Sequence, residues 1–194
     1  MENLNEQLEV LFNTKRMGHV DTPATGSNSV RGLYDMIKNR FKPNFIMVEI
    51  GSFHGTSTRL FSLFVDKVYS VDCYDYPVPP TGRIPSHDQT FIDAERIFIE
   101  RTSHIENIIK IRKSGADAAL DFEDKSLDAV YIDAEHDYNS ILSDVSTWKS
   151  KIKSGGILCG HDFSVGYITQ ILQSEGVLNE LETYADDSWS VIIK

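Results

Sequence analysis

The 194 residues suit one domain, and 41% hydrophobic with 25% charged residues is the composition of an ordinary globular chain. Lys plus Arg 19 against Asp plus Glu 29 gives a net charge of −10, which repels phosphate backbones and argues against a large nucleic-acid partner. No apolar run approaches the roughly 20 residues of a membrane span, and the acidic start at Glu2 and Glu6 lacks the basic and apolar stretches of a secretory leader. The expectation is a cytoplasmic protein.

Leu4, Leu8, Leu11 and Phe12 recur at helical spacing, which predicts a short amphipathic helix that covers a sheet or forms a homodimer contact. Residues Gly18 to Gly26 read as a loop, either a surface connector or a lid, and Ser27 or Asn28 is placed to cap a helix carrying Val30, Leu33, Tyr34 and Ile37. Phe45 to Ile50 is the first core strand. It runs into a turn bracketed by Gly51 and Gly55, then a helix from Thr56 to Val65. Val68 to Val71 is the next strand, and Asp72 follows it near the spacing at which dinucleotide folds place a ribose-binding acid.

The stretch from Cys73 to Ser86 holds Pro77, Pro79, Pro80 and Pro85 and reads as an irregular insertion. His87 and Asp88 follow as a substrate contact or a helix cap, with the helix running to about Arg101. Strands are expected at Ile108 to Ile111, Leu127 to Ile132 and Ile157 to Cys159, each followed by a helical pattern, with a turn at Lys153 to Gly156. Two short strands, about Leu181 to Tyr184 and Ser188 to Ile193, form a hairpin through Asp186 and Asp187. Cys73 and Cys159 lack metal-like spacing and are expected to be reduced.

Alternating strands and helices imply a doubly wound, Rossmann-like α/β fold. The sheet is mostly parallel and seven-stranded, with a C-terminal antiparallel hairpin and N-terminal helices. Ligands in such sheets sit beyond the carboxyl ends of the strands. Asp72, Ser114, Asp133, His136, His161 and Asp162 all follow predicted strand ends, so the fold would gather them at one edge. Phe53 stands where a pyrophosphate-binding loop needs glycine, which disfavours a nicotinamide oxidoreductase. An adenosine ligand without phosphates needs only the tight turn, backbone amides, hydroxyls such as Thr56 and Ser57, and Asp72. Asp133, His161 and Asp162 offer two carboxylates and an imidazole for a divalent cation such as Mg2+, and His136 has the titration range of a general base. The same acids also serve as helix caps in proteins without a metal.

Val48 to Ser57 resembles the cofactor loop of class I S-adenosylmethionine (SAM)-dependent methyltransferases, and the likeness extends over about Phe45 to Lys194. Within that class the chain is similar to catechol O-methyltransferase and to bacterial macrolide-sugar O-methyltransferases. The resemblance implies that Glu49 holds the loop or the amino end of SAM. It also implies that Gly51, Ser52, Phe53, His54 and Gly55 pass beneath the methionine part, with Thr56 and Ser57 near its carboxylate. Asp72 would bind the ribose, Cys73, Ser114 and Gly115 would flank adenine, and Asp133 would border both cofactor and metal. The stretch from Tyr131 to His136 is similar to the segment that carries a metal-binding aspartate and, three residues on, a catalytic base, here His136. Gly160 to Asp162 departs from the family pattern of two adjacent acids, or an acid and an asparagine, because the first is His161.

The expected protein is a single methyltransferase domain, with 1–42 a helical cover and 43–194 the Rossmann-like core. It would act on a hydroxyl of a small acceptor, sugar or catechol-like, with divalent-metal assistance. The competing reading is a noncatalytic adenosyl-binding or assembly module.

Overall fold

A computed structural model describes residues 3–14, 30–75 and 93–194. The loop at Gly18 to Gly26, the caps at Ser27 and Asn28, the proline-rich stretch after Tyr76, and His87 and Asp88 lie outside the described residues.

The described elements run α1 (Leu4–Asn13), α2 (Arg31–Arg40), β1 (Ile46–Ile50), α3 (Thr56–Ser62), β2 (Lys67–Val71), α4 (Ala94–Thr102), β3 (Ile108–Ile111) and α5 (Gly115–Ala119). They continue with β4 (Leu127–Ile132), α6 (Tyr138–Trp148), β5 (Ile152–Gly160), α7 (Ile168–Ser174), β6 (Glu182–Thr183) and β7 (Trp189–Ile192). All seven strands join one sheet in the order β3-β2-β1-β4-β5-β7-β6. Strands β1 to β5 pair in parallel, and β7 enters antiparallel to both β5 and β6. The chain therefore reverses strand order at β1 and β4, which opens a crevice at their carboxyl ends.

Alternation along the strands sends neighbouring side chains to opposite faces. Val48, Ile50, Val130, Ile132 and Leu158 pack with Trp148, Ile141 and Ile171 on one face. Met47, Ala129, Tyr131, Ile157 and Cys159 pack with Leu33, Leu60 and Leu11 on the other. Burial on both faces explains why these strands read as near-continuous apolar runs. Helix α1 contributes Leu8 and Leu11 to the second cluster, and a capping box between Asn3 and Glu6 fixes its start. No described helix is long and apolar enough to cross a membrane.

Two local expectations change. Lys153 to Gly156 is not a turn before the fifth strand but lies inside β5, where the register to β4 jumps from Leu127↔Ile152 to Ala129↔Ile157. The glycines that suggest a turn instead permit a bulge, with Gly155 at φ +80° donating to the Ile193 carbonyl at 2.7 Å. Helix α2 has no side-chain cap at its own N-terminus, and Leu33 N donates to Asp186 Oδ2 at 2.8 Å, so a residue of the distant hairpin takes that place.

Candidate active site

The loop between β1 and α3 is held from three sides. Gly51 sits at φ +86°, in the left-handed region, and an added Cβ would lie 2.1 Å from the Asp133 carbonyl oxygen. Only hydrogen fits there, because the loop crosses directly over the exit of β4. Gly55, at φ +75°, is hemmed in by Phe98 and Thr102 of α4. The close approach that the two glycines signal is therefore to the protein itself.

Asp72 is the third hold. Its Oδ2 accepts from Ser52 N at 3.0 Å and Phe53 N at 2.9 Å, and its Oδ1 accepts from Tyr74 N at 2.8 Å. The carboxylate at the end of β2 thus organises the loop. Glu49 is fully buried on the α3 side of the sheet and accepts a hydrogen bond from the Thr58 hydroxyl. That position suits holding the loop more than reaching a ligand. Phe53 at φ +42° stacks on the buried His54 ring at 3.9 Å, and Ser57 is buried at the first turn of α3 while Thr56 is half-buried.

At the carboxyl ends of β4 and β5 the chain brings together Asp133, His136 and Asp162, whose ligand atoms all lie within 4.8 Å of one another. His136 Nδ1 donates to Asp162 Oδ2 at 2.5 Å, and His161 Nδ1 lies 3.1 Å from Asp162 Oδ1 and 3.9 Å from Asp133 Oδ1. The two histidines flank one carboxylate. Hydrogen bonding to Asp162 raises the His136 pKa above its ordinary 6.5. Asp162 is partly buried, which alone would push its carboxyl up, yet hydrogen bonds from His136 and His161 hold it far below the ordinary range. The His136 side chain is 55% exposed and borders a cleft lined also by Asp133, Glu135, Ile141, Ile168 and Trp189.

Cys73 is half-buried, and its carbonyl accepts from Arg112 Nε at 3.3 Å. Ser114 caps α5 by accepting from Asp117 N at 3.1 Å. Gly115 faces Asp144, where an added Cβ would be 2.9 Å from Oδ1. Burial pushes the Asp144 carboxyl up to about 6. The sequence reading passes over four residues of this edge. Tyr74, at φ +57°, places its hydroxyl 3.4 Å from Ser52 Oγ, and burial raises its phenol pKa. Tyr167 donates its hydroxyl to the His136 carbonyl. Trp189 Nε1 donates to the His161 carbonyl at 2.9 Å, and the Asp186 carbonyl accepts from His161 Nε2 at 2.6 Å. Trp189 and Asp186 are far from the motifs in sequence, and only the antiparallel return of β7 beside β5 brings them there.

Residues 48–163 match a family model described as a methyltransferase domain. A search of curated proteins finds no match. Among solved structures the chain is similar to an rRNA methylase from Streptococcus thermophilus, with a TM-score of 0.59 and 14% identity over 90% of this chain and 96% of that one. It is also similar to a tRNA (m1A58) methyltransferase from Aquifex aeolicus, at 0.62 and 12% over 91% of this chain and 62% of that one. A third similar structure is a Streptococcus mutans protein in complex with SAH, at 0.55 and 13% over 89% and 97%. At these identities the likeness is one of fold.

Proposed function

The chain belongs to the methyltransferase-domain family and is an SAM-dependent methyltransferase, and from that premise we propose that it methylates a hydroxyl oxygen of a small acceptor with His136 as the base. The noncatalytic alternative gives way to that membership. The observation that carries the proposal is the contact of His136 Nδ1 with Asp162 Oδ2 in a half-exposed side chain that borders the cleft.

The donor set suits SAM. An acid at the end of β2, hydroxyls at the start of α3 and a fixed glycine turn all lie at the edge where such sheets take ligands. Bound SAM supplies an electrophilic methyl on a sulfonium. In this reading Gly51, Ser52, Phe53, His54, Gly55, Thr56 and Ser57 line its methionine part. Asp72 takes the ribose hydroxyls, Cys73, Ser114 and Gly115 border adenine, and Glu49 holds the loop from behind. Asp162 fixes the His136 ring, and His136 removes the acceptor proton as the oxygen attacks.

Metal assistance is a further part of the proposal. Two carboxylates and an imidazole within 4.8 Å fit a divalent cation chemically. Asp133 and Asp162 would hold it with His161, as the sequence suggests, or with His136, as the ring positions favour. The cation would supply positive charge beside the acceptor oxygen. Mg2+ titration by calorimetry tests this, and no heat with native protein would remove it.

The acceptor class rests on the resemblance of the Val48 to Ser57 loop and the Tyr131 to His136 segment read in the sequence, and on charge. The rRNA and tRNA names among the similar structures point to nucleic acid, but a net charge of −10 opposes a phosphate backbone. We also read 1–42 as a cover on a 43–194 core, a cytoplasmic setting, and a homodimer contact through α1, where Leu4 and Val10 are 47% and 50% exposed. A screen of hydroxylated small molecules with SAM, read by mass, tests the central reading. Product from the native protein and none from His136→Ala is expected. Equal product from both would remove His136 as the base.

A further inference from the structure

The turn between β6 and β7 reaches across to the exit of β5 and grips His161, Phe163 and Ser164. The Asp186 carbonyl accepts a hydrogen bond from His161 Nε2 at 2.6 Å, the Asp187 carbonyl accepts from Phe163 N at 3.1 Å, and Asp187 Oδ1 accepts from Ser164 N at 3.0 Å. Between these holds Asp162 adopts φ +59°, a left-handed conformation that an aspartate enters only at some cost. The Asp186 carboxylate is itself buried and tied at both oxygens, Oδ2 to Leu33 N at 2.8 Å and Oδ1 to Ser188 N at 3.2 Å.

A carbonyl oxygen can only accept, so His161 Nε2 is a donor, and Nδ1, the atom turned to the acids, must also carry a proton to bond a carboxylate, so the ring that joins both partners is the imidazolium. His161 Nδ1 meets Asp162 Oδ1 at 3.1 Å, and Asp162 Oδ2 meets His136 Nδ1 at 2.5 Å. The result is a continuous path from the N-terminus of α2 through Asp186, His161 and Asp162 to His136. We propose that Asp186 is a positioning residue for His136, its carboxylate anchored on α2 and its carbonyl setting the His161 ring that orients Asp162. The inference rests on the reading of His136 as the base. It assigns a role in the active site to the Asp186 turn of the C-terminal hairpin and to the first turn of α2.

The test uses the full chain labelled with 15N-histidine, with ring signals assigned from His136→Gln and His161→Gln proteins. In the native protein His161 should show a protonated Nε2 with slow solvent exchange, and His136 a protonated Nδ1. Asp186→Ala removes both anchors of the turn. Exchange of the His161 Nε2 proton should quicken at least about tenfold, the scale at which outer partners of an active-site imidazole act, and the His136 Nδ1 signature should fade. Asp186→Asn keeps one acceptor and should give a smaller change in the same direction, which preserves the test if the alanine protein does not fold. Met36→Ala, buried in α2 on the far face, serves as the destabilised control and should leave both rings as in the native protein. Unchanged ring signals in the folded Asp186 variants, or the same changes in Met36→Ala, would overturn the inference. The rings are read without cofactor or acceptor, so failure of methyl transfer in the native protein counts against the functional reading alone.

Discussion

Replacing Asp72 with alanine separates two roles for one carboxylate. In the structure it accepts from three backbone amides, Ser52, Phe53 and Tyr74, at 3.0, 2.9 and 2.8 Å. A hydrogen bond to a charged acceptor contributes about 1.5–3 kcal/mol, and a buried donor left without a partner costs about as much. Ser52 is buried, whereas Phe53 and Tyr74 are half-buried and water can reach them after the change. One full loss and two reduced ones give a destabilisation of about 3 kcal/mol, or a melting point lower by about 6–12 °C for a chain of this size. Asp72→Asn keeps one oxygen for Ser52 and Phe53 but turns an amide toward Tyr74 N, and about 1–2 kcal/mol is expected. Urea unfolding and SAH calorimetry on the same samples read both roles. Loss of SAH binding with stability within about 0.5 kcal/mol of native would refute the loop-holding role, because a carboxylate that only meets ribose leaves the empty protein untouched.

Gly51→Ala should destabilise by more than about 3 kcal/mol, combining the left-handed backbone penalty with a Cβ 2.1 Å from the Asp133 oxygen; a melting point near native would refute that packing. The His136–Asp162 pair gives a signed pH dependence in chelator-treated protein. The His136 pKa is raised and that of Asp162 depressed, so the pair's contribution is fully present between about 4 and about 6.5, is lost as pH rises through the folded His136 value and also falls away in strong acid; Asp162→Asn should flatten the unfolding profile above about 6.5, and an unchanged profile would argue against the pair. Asp144 has the opposite consequence. Its pKa rises from 3.8 to about 6 through burial, so the ionised acid weakens the fold above that range, and Asp144→Asn should be more stable than native at pH 7 by up to about 3 kcal/mol but equal near pH 3. Denaturant unfolding at both pH values checks this, and equal stability at pH 7 would contradict it.

The strands at the site are legible because each is buried on both faces, so apolar runs such as Leu127 to Ile132 mark them. The placement of Asp72, Asp133 and Asp162 followed from the rule that functional residues gather at carboxyl ends of parallel strands. Partners were harder to see. The sequence could not show that Asp72 is occupied by backbone amides, since a ribose-binding acid and a loop clamp have the same residue type and position. The resemblance leaves Glu49 two roles, holding the loop or meeting the amino end of SAM, and strand alternation turns it to the α3 side, where it accepts from Thr58. His161 and Asp186 meet only because β7 returns antiparallel beside β5, a long-range pairing that no local pattern encodes. The bulge in β5 was misread for a related reason. Gly155 and Gly156 signal a departure from regular strand geometry, but whether the chain turns or bulges depends on the Ile193 carbonyl across the sheet.

The central claim is that this family member moves a methyl from SAM to a small hydroxylated acceptor through His136. The most direct test incubates native and His136→Ala proteins with SAM and a mixed pool of small hydroxylated metabolites and RNA, and then identifies the methylated product by mass. The account predicts an O-methylated small molecule that forms with the native protein and falls by at least about a hundredfold with His136→Ala, while SAH affinity stays within about twofold. Methylated RNA as the product, or a small-molecule product formed equally by both proteins, would contradict it.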